Sequence, residues 1–317
     1  MKLSVIIPCY NAAKTIEFQL NALVKQEWSQ PWEVIVADNG STDNTRQIVE
    51  RYIGKLPDLC IVDASSRPGA AHARNTAVKA AKGESLVFCD ADDEAGTDWI
   101  KMMGEALMQY DFISCRLDIY KLNSMSTQSY MGDSQRTGLR VFGFSPHLPY
   151  AGAGSLGIKR SVHEHIGGFD ESLLRIEDVD YCIRVQREGV NLYYIPEAIM
   201  HYRRRNSMKG IMFQGLSWAF YSVLVYKRYC TTDVSISKRW RQMIRRCIDL
   251  ILKSNKLLKK DRRSQWLWQI SWCLGIFLGC LIHRVHPPFF DHKKSTLNPS
   301  STTELNELIR VMMLFGE

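Results

Sequence analysis

A short apolar run of the sequence leads directly into a cluster of carboxylates. Residues 85–89 are followed by Asp90, Asp92, Asp93 and Glu94. Carboxylates this close repel one another. A hard divalent cation such as Mg²⁺ relieves that repulsion, because it takes oxygen ligands and keeps phosphate oxygens in the rest of its shell. The pattern Asp-Ala-Asp at 90–92 therefore predicts a metal–diphosphate site. A solvated acidic loop is the plain alternative.

Alternating strands and helices must position this cluster. Apolar runs and helical spacing predict four strands and three helices in the order β-α-β-α-β-α-β, with the strands at 3–7, 33–37, 59–63 and 85–89. This order is typical of an α/β fold, with a parallel sheet, helices on both faces and right-handed crossovers. Ligands bind at the carboxyl ends of strands in open α/β sheets. The cluster after residue 89 therefore lies where a ligand would bind.

The chain continues with a second set of elements. We predict a strand at 111–120, a loop or flap at 121–149, a helix at about 175–188 and a short strand at 192–195. Between them, residues 150–156 are rich in small side chains, which let a ligand or another backbone approach closely.

Six motifs occur in order along the first two thirds of the chain: LSVIIPCYNAAKTI, EVIVADNGSTDNT, RPGAAHARNTAVKAAKG, VFCDADD, GGFDESL and EDVDYCIRVQREG. Together they resemble the family 2 glycosyltransferases of the GT-A fold over about residues 1–205. The resemblance implies a Rossmann-like, mostly parallel sheet with helices on both faces. It also implies a catalytic domain at 1–205, with a nucleotide-binding half at 1–95 and an acceptor half at 96–205.

A set of residues near the predicted strand ends is expected to bind the nucleotide. Asp38 ends the second strand, where a carboxylate can accept hydrogen bonds from ribose hydroxyls or a uracil imide, as in the family; a turn or capping role is the alternative. Asn39 stands where many relatives have a second acid, so base recognition departs from the family pattern. Tyr10 either stacks on the base or simply packs, and Arg74 of the Ala-Arg-Asn motif either contacts the nucleotide or forms a structural ion pair. The expected nucleotide-binding residues are Pro8, Tyr10, Asn11, Asp38, Arg67, Arg74 and Asp90.

The resemblance also assigns a metal site and a base. Asp92 is the expected direct ligand of Mn²⁺ or Mg²⁺, and His201 matches a family histidine that can complete the metal shell; a structural histidine is the alternative. Asp178 matches the family aspartate that takes the acceptor proton, and Glu177 is expected to orient the acceptor or share the site. Acids at a helix N-terminus also stabilise the helix dipole, which is the structural alternative for both.

The activity implied is an inverting, metal-dependent transfer of a sugar from a nucleotide diphosphate donor, expected to be a UDP-sugar, to a hydroxyl of a glycan or lipid-linked acceptor. The QxxRW element of processive relatives is absent from the sequence, which favours transfer of a single sugar. One alternative is a membrane-associated scaffold that binds sugar nucleotides without catalysis. Another is a nucleotidyltransferase, which needs a glycine-rich loop after the first strand, whereas PCYNAAKT has no glycine.

The distribution of charge and the cysteines indicate where in the cell the protein works. Between Arg203 and Arg263 there are 17 Lys/Arg against three Asp, a local charge of +14 in a chain of net charge +8. The nine cysteines show no CxxC pair, which predicts buried free thiols in a reducing compartment rather than disulfides or a zinc site. Residues 3–7 are too short an apolar run for a signal peptide, so we expect a cytoplasmic protein at the inner face of the cell membrane.

Residues 206–317 form the basic C-terminal region, which is expected to be helical. A helix at 239–260 has one apolar and one basic face, and residues 266–282 are apolar and rich in Trp. The second segment is short for a membrane span, and the pair resembles helices that lie in a membrane interface. Buried packing, a homodimer contact and a membrane span stay open as alternatives. No nucleic-acid recognition motif accompanies the basic clusters, so no nucleic-acid partner is expected.

Overall fold

A computed structural model describes residues 1–128, 135–141, 147–230 and 234–288. The predicted terminal segment at 291–317 and parts of the predicted flap lie outside these residues. The described strands are β1 (Leu3–Cys9), β2 (Trp32–Asp38), β3 (Cys60–Asp63), β4 (Ser85–Phe88), β5 (Glu94–Ala95), β6 (Phe112–Asp118), β7 (Arg140–Val141), β8 (Pro149–Tyr150), β9 (Leu156–Lys159) and β10 (Tyr193–His201). The described α-helices are α1 (Ile16–Val24), α2 (Thr45–Glu50), α3 (Ala70–Ala80), α4 (Trp99–Gln109), α5 (Met125–Gln128), α6 (Arg160–His165), α7 (Glu177–Arg187), α8 (Met208–Tyr229), α9 (Ile236–Leu252) and α10 (Lys260–His283).

The main sheet has the strand order β3-β2-β1-β4-β9-β6-β10-β5. Its first four strands are parallel, as the sequence predicts. Parallel strands need long crossovers, and α1, α2 and α3 supply them between successive strands of this half. The predicted α/β class is confirmed, and the carboxyl ends of β1, β2 and β4 meet at one edge of the sheet.

The second half of the sheet departs from the predicted pattern. Strand β9 pairs antiparallel with both β4 and β6, so the sheet is mixed. The sequence did not indicate β9, because it is only four residues long and contains a glycine. Strand β10 runs on past the predicted end at residue 195, after a register shift between Ile195 and Ile199. The intervening Pro196 has no N–H to donate, so it interrupts the hydrogen bonding between β10 and β6 without ending strand β10.

Two apolar layers cover the sheet. Successive residues of β1 alternate between them: Val5 and Ile7 pack into one layer with α1 and α4, and Ile6 into the other with α3 and α7. This is the period of two expected for a strand buried on both faces. The apolar layers on both faces of the sheet therefore hold in place the strand ends that carry polar residues.

The C-terminal helices are joined directly to helix α7. Val225 and Tyr226 of α8 pack against Val179 and Ile183 of α7. Beside them, Tyr229 donates a hydrogen bond of 2.5 Å to the fully buried carboxylate of Asp180. Arg228 donates to the same oxygen at 3.2 Å and to Asp170 at 2.5 Å. We call Asp180, Arg228 and Tyr229 the α7–α8 joint.

Helices α8 and α10 pack with their backbones in close approach. A Cβ placed on Gly275 would overlap the carbonyl oxygen of Leu216, and one on Gly279 would lie 2.9 Å from the carbonyl oxygen of Phe220. The segment Arg262–His283 is long and apolar enough to cross a membrane, by length and composition alone. One side of that segment is already occupied by α8.

We expect Gly275→Val to destabilise the C-terminal helices. The added side chain meets backbone of α8 rather than a flexible side chain, and overpacking of this kind costs about 1–3 kcal/mol. Urea unfolding of the full chain measures the loss. Leu281→Val is the matched control, because it places the same β-branched residue on the exposed side of α10. Equal midpoints for the two variants would contradict the close packing.

Candidate active site

The carboxyl edge of the sheet brings together residues from three separate motifs. Asp38 is the last residue of β2, and Asp90 and Asp92 follow β4. Helix α7 begins at Glu177 and carries Asp178. The sheet thus gathers most of the predicted site residues, and the contacts below show how each is held.

Three carboxylates after β4 form a compact group. One oxygen from each of Asp90, Asp92 and Asp93 lies within 4.8 Å of the others. Burial raises the pKa of Asp92 and, more strongly, that of Asp93, with the neighbouring carboxylates adding to the effect. The buried Oδ2 of Asp93 has no hydrogen-bond partner among the described residues. Crowded oxygens with an orphaned acceptor fit a hard divalent cation, which would relieve their repulsion.

Arg74 joins this group to helix α7. Its side chain is 4% exposed. One guanidinium nitrogen donates to Asp90 at 2.8 Å and another to Glu177 at 2.8 Å. The structural ion pair is therefore present, and contact of Arg74 with a nucleotide stays a prediction.

Asp178 lies at the start of α7 beside this ion pair. Burial, with the charge of Glu177 as the second cause, raises the pKa of Asp178 to about 7. Its Oδ1 accepts the backbone N–H of Val179 at 2.9 Å. A Cβ added to Gly154 would lie 2.7 Å from Oδ2 of Asp90, so the small-residue stretch allows close approach to the neighbouring carboxylate. A carboxyl with this pKa is poised to exchange a proton near neutral pH.

The ends of β1 and β2 form a neighbouring polar surface. Asp38 is buried and accepts the N–H of Ser41 at 2.9 Å, which is the turn contact given above as the alternative. Asn11 has a positive φ of 48° and accepts the N–H of Thr42 at 2.8 Å. Tyr10 is 62% exposed, so its ring is open to a planar ligand. Pro8 is half-buried within β1, in register with Ala37.

Two predicted site residues have other neighbours. Arg67 is half exposed and lies 3.6 Å from the carboxylate of Glu171. His201 ends β10, with Nδ1 3.5 Å from Asp118, and burial and nearby Lys121 lower its pKa. Within the described ranges, its ring does not join the three-carboxylate group. A metal-ligand role for His201 stays a prediction.

Three arginines that are not among the predicted site residues lie close to its carboxylates. The backbone N–H of Arg203 donates to Asp93 at 2.8 Å, and its Nε donates to the carbonyl of Asp92 at 2.8 Å. Arg205 lies 3.4 Å from the carboxylate of Asp92. The sequence signal for these contacts is that both arginines open the basic stretch at 203–263. Arg140 is a further charge close enough to lower the pKa of Asp178.

A mixed sheet of this order, with an acidic cluster at its carboxyl edge, defines the GT-A class of fold. A model of glycosyl transferase family 2 matches residues 4–167, and one of glycosyl transferase family group 2 matches residues 86–289. The chain belongs to glycosyl transferase family 2.

Characterised relatives match parts of the chain. The poly(ribitol-phosphate) β-N-acetylglucosaminyltransferase TarS of Staphylococcus aureus is 42% identical over 102 residues, which is 32% of this chain and 18% of TarS. The glycosyltransferase AglE of Haloferax volcanii is 26% identical over 200 residues, 62% of this chain and 65% of AglE. The chain thus matches less than a fifth of TarS and about two thirds of AglE.

Solved structures share the fold. TarS residues 1–349 in complex with UDP-GlcNAc align with a TM-score of 0.53 and 17% identity, covering 92% of this chain and 99% of that one. The mannosyltransferase PcManGT from Pyrobaculum calidifontis, in complex with GDP-Man and Mn²⁺, aligns with a TM-score of 0.54 and 18% identity. It covers 99% of this chain and 81% of its own.

Proposed function

We propose that this protein is an inverting glycosyltransferase that moves one sugar from a UDP-sugar to a hydroxyl of a glycan or lipid-linked acceptor. The observation that carries the proposal is the half-buried Asp178, with a pKa near 7, whose neighbour Glu177 is joined through Arg74 to Asp90 of the three-carboxylate group. A proton acceptor and a diphosphate site at one sheet edge are the two parts that such a transfer needs.

The reaction proceeds by direct attack of the acceptor oxygen on the anomeric carbon. The new C–O bond forms as the bond from the anomeric carbon to the diphosphate oxygen breaks, which inverts the configuration. The acceptor proton passes to Asp178, and the nucleoside diphosphate leaves with the bonding electron pair. Glu177, held by Arg74 at 2.8 Å, positions the base and the acceptor rather than taking the proton itself.

The acidic group fits a divalent metal, Mn²⁺ or Mg²⁺. Asp92 and Asp90 would hold it, and Asp93 has an orphaned oxygen facing the same region. When bound, such an ion neutralises charge on the departing diphosphate. The Mn²⁺ named with PcManGT supports divalent metal use in this fold.

A UDP-sugar is favoured among donors by the sequence relatives. TarS transfers N-acetylglucosamine by name, and its structure with UDP-GlcNAc has the same fold. Asp38 and the exposed ring of Tyr10 offer a carboxylate and a stacking face for base and ribose.

All nine cysteines are free, which supports a reducing, cytoplasmic compartment.

We expect calorimetry to show that UDP binds more tightly than GDP or CDP, and that binding needs Mn²⁺. Asp92→Asn should weaken Mn²⁺-dependent UDP binding by at least about tenfold, because it removes a charged oxygen ligand. Asp58→Asn is the matched control: Asp58 is exposed and precedes β3, so it lies at the opposite edge of the sheet. Its positive φ of 39° is one that asparagine also tolerates.

Each result of these binding measurements has a different meaning for the donor site. Binding of UDP only with metal, lost in Asp92→Asn and kept in Asp58→Asn, supports the donor site. Preferential binding of GDP would overturn the UDP assignment. Failure of folded protein to bind any of the three nucleotides would overturn the donor site itself.

A further inference from the structure

Helix α9 presents apolar side chains to solvent. Ile244, Ile248 and Ile251 recur at positions i, i+4 and i+7 and are 53%, 51% and 65% exposed. Residues at this spacing form one continuous stripe along a helix. Leu252 extends the stripe, and Leu258 in the following turn is exposed as well. Contiguous apolar surface of this kind marks an interaction site in a folded protein.

Basic side chains run alongside the stripe. Lys238, Arg241 and Arg245 recur at i, i+3 and i+7 and are all exposed. The acid in this helix, Asp249, pairs with Lys253 at 2.7 Å and so adds no free negative charge. The exposed side of α9 is thus apolar along its centre and cationic along one flank.

Helix α10 carries a second exposed apolar stripe. Its opposite side packs on α8 through Gly275 and Gly279. The exposed members of the stripe are Leu274, Phe277, Leu278, Leu281 and Ile282. The α9 stripe, its basic flank and this α10 stripe together are called the docking face.

We propose that the docking face binds the surface of an anionic lipid bilayer, with α9 and α10 lying in the interface. Cationic side chains beside an apolar stripe match anionic headgroups above acyl chains. A second copy of this chain is a poorer occupant, because a two-fold contact would bring the same basic flanks towards each other.

The packing also favours helices that lie on the bilayer over a helix that crosses it. Spanning by α10 would separate it from α8, whose backbone it meets closely at Gly275. Helix α8 is in turn fixed to the catalytic domain, since Arg228 and Tyr229 hold Asp180. A surface-bound arrangement keeps all of these contacts.

The docking face is connected to the proposed base by packed helices. Helix α9 packs on α10, α10 on α8 and α8 on α7, which carries Asp178. A bilayer at the docking face would therefore hold a fixed position relative to Asp178, which suits an acceptor carried by a lipid. This link to a lipid-linked acceptor rests on the proposed function, whereas lipid binding itself does not.

Vesicle flotation of the full chain tests the proposal. We expect the protein to float with vesicles of phosphatidylcholine containing phosphatidylglycerol, and much less with phosphatidylcholine alone or in high salt. The variant Arg241→Gln/Arg245→Gln should bind anionic vesicles about thirtyfold more weakly, as expected for the loss of two cations near an anionic surface. Ile244→Ser/Ile248→Ser/Ile251→Ser should lose flotation, since these side chains would no longer enter the interface.

Matched controls and a second readout keep the outcomes distinct. Ile53→Ser/Met108→Ser removes two equally exposed apolar side chains from the catalytic domain and should float as the wild type does. Metal-dependent UDP binding, measured on every variant, reports the donor site separately from lipid binding.

Four results would overturn the proposal. These are no flotation of the wild type, equal flotation of the triple variant, a dimer in sedimentation velocity that the triple variant abolishes, and retention in cell membranes after alkaline carbonate washing. The third would assign the face to a second copy, and the fourth would make α10 a span.

Discussion

Asp178→Asn is expected to abolish turnover while leaving UDP binding intact. An amide cannot accept the acceptor proton, and a placed general base contributes about 10²–10⁴-fold to rate. The side chain keeps its shape, and Asn can still accept the N–H of Val179 that Asp178 accepts at 2.9 Å. Sugar transfer to acceptor and UDP calorimetry, run on the same preparation, measure the two effects. Lost UDP binding, or turnover within threefold of wild type, would contradict the assignment.

The pH dependence should carry the signature of the same group. The pKa of Asp178 is raised from 3.8 to about 7, so the base form is gained as pH rises through about 7, and kcat/KM should rise with it to a plateau.

The free energy of unfolding should change with pH in the opposite direction to kcat/KM. A raised pKa means that the folded state binds the proton more tightly than the unfolded chain, so the stabilising effect of proton binding is lost as pH rises from about 4 to 7. Asp178→Asn should therefore unfold several degrees higher than wild type at pH 8, with the difference shrinking towards pH 5. Asp180 is not a suitable control, since it is buried in the α7–α8 joint, whereas the exposed Asp58→Asn should show neither effect.

Arg74→Ala is expected to be strongly destabilising. The side chain is buried and bridges Asp90 and Glu177 at 2.8 Å each. Removing one partner of a buried ion pair leaves uncompensated charge and costs about 3–5 kcal/mol. Arg46→Ala is the matched control, because Arg46 and Glu50 form an exposed i,i+4 pair at 3.2 Å that is worth about 0.5 kcal/mol or less. Urea unfolding compares the two.

Two further variants distinguish the effect of Arg74 on folding from its effect on nucleotide binding. Arg74→Lys keeps the charge but cannot donate in the forked geometry of a guanidinium, so it should fold and bind UDP with Mn²⁺ more weakly than wild type. Adding Glu177→Gln to Arg74→Ala should recover part of the lost stability, since it removes one of the two stranded charges. An Arg74→Ala protein as stable as wild type would show that the bridge does not hold α7 to the acidic cluster.

The parts of the fold that sequence predicts well are those with strong local patterns. The four parallel strands of the first half are apolar runs with polar residues at or soon after their ends, such as Asp38 and Asp90, so their parallel direction and their shared edge follow from α/β crossover rules. Strand β9 has no such pattern: its pairing with β4 and β6 is determined by contacts distant in sequence. Hydrophobic periodicity within a short window of the sequence does not reveal such contacts.

The site shows the same division. The carboxylates that follow a strand indicated a metal site at 90–92, whereas Asp178 was assigned through the resemblance of its segment to family 2 glycosyltransferases, since acids at a helix start also stabilise the helix dipole. The partnership of Arg74 with Glu177 spans 103 positions of sequence, and that of Arg203 with Asp93 spans 110. Only the folded chain reveals such pairs, since spacing along the sequence carries no distance information at that range.

The α7–α8 joint constrains how this chain could exchange segments with its relatives. Asp180 lies two positions after the proposed base, and its buried charge is matched by Arg228 and Tyr229 from beyond the catalytic motifs. A recombination event that replaced everything after residue 205 would leave Asp180 Oδ1 without these donors unless the incoming helix brought equivalent ones, although Arg184 of α7 would still pair with Oδ2 at 2.8 Å. Replacement of the C-terminal helices must therefore keep donors for Asp180, and divergence on their exposed side must leave the inward contacts in place.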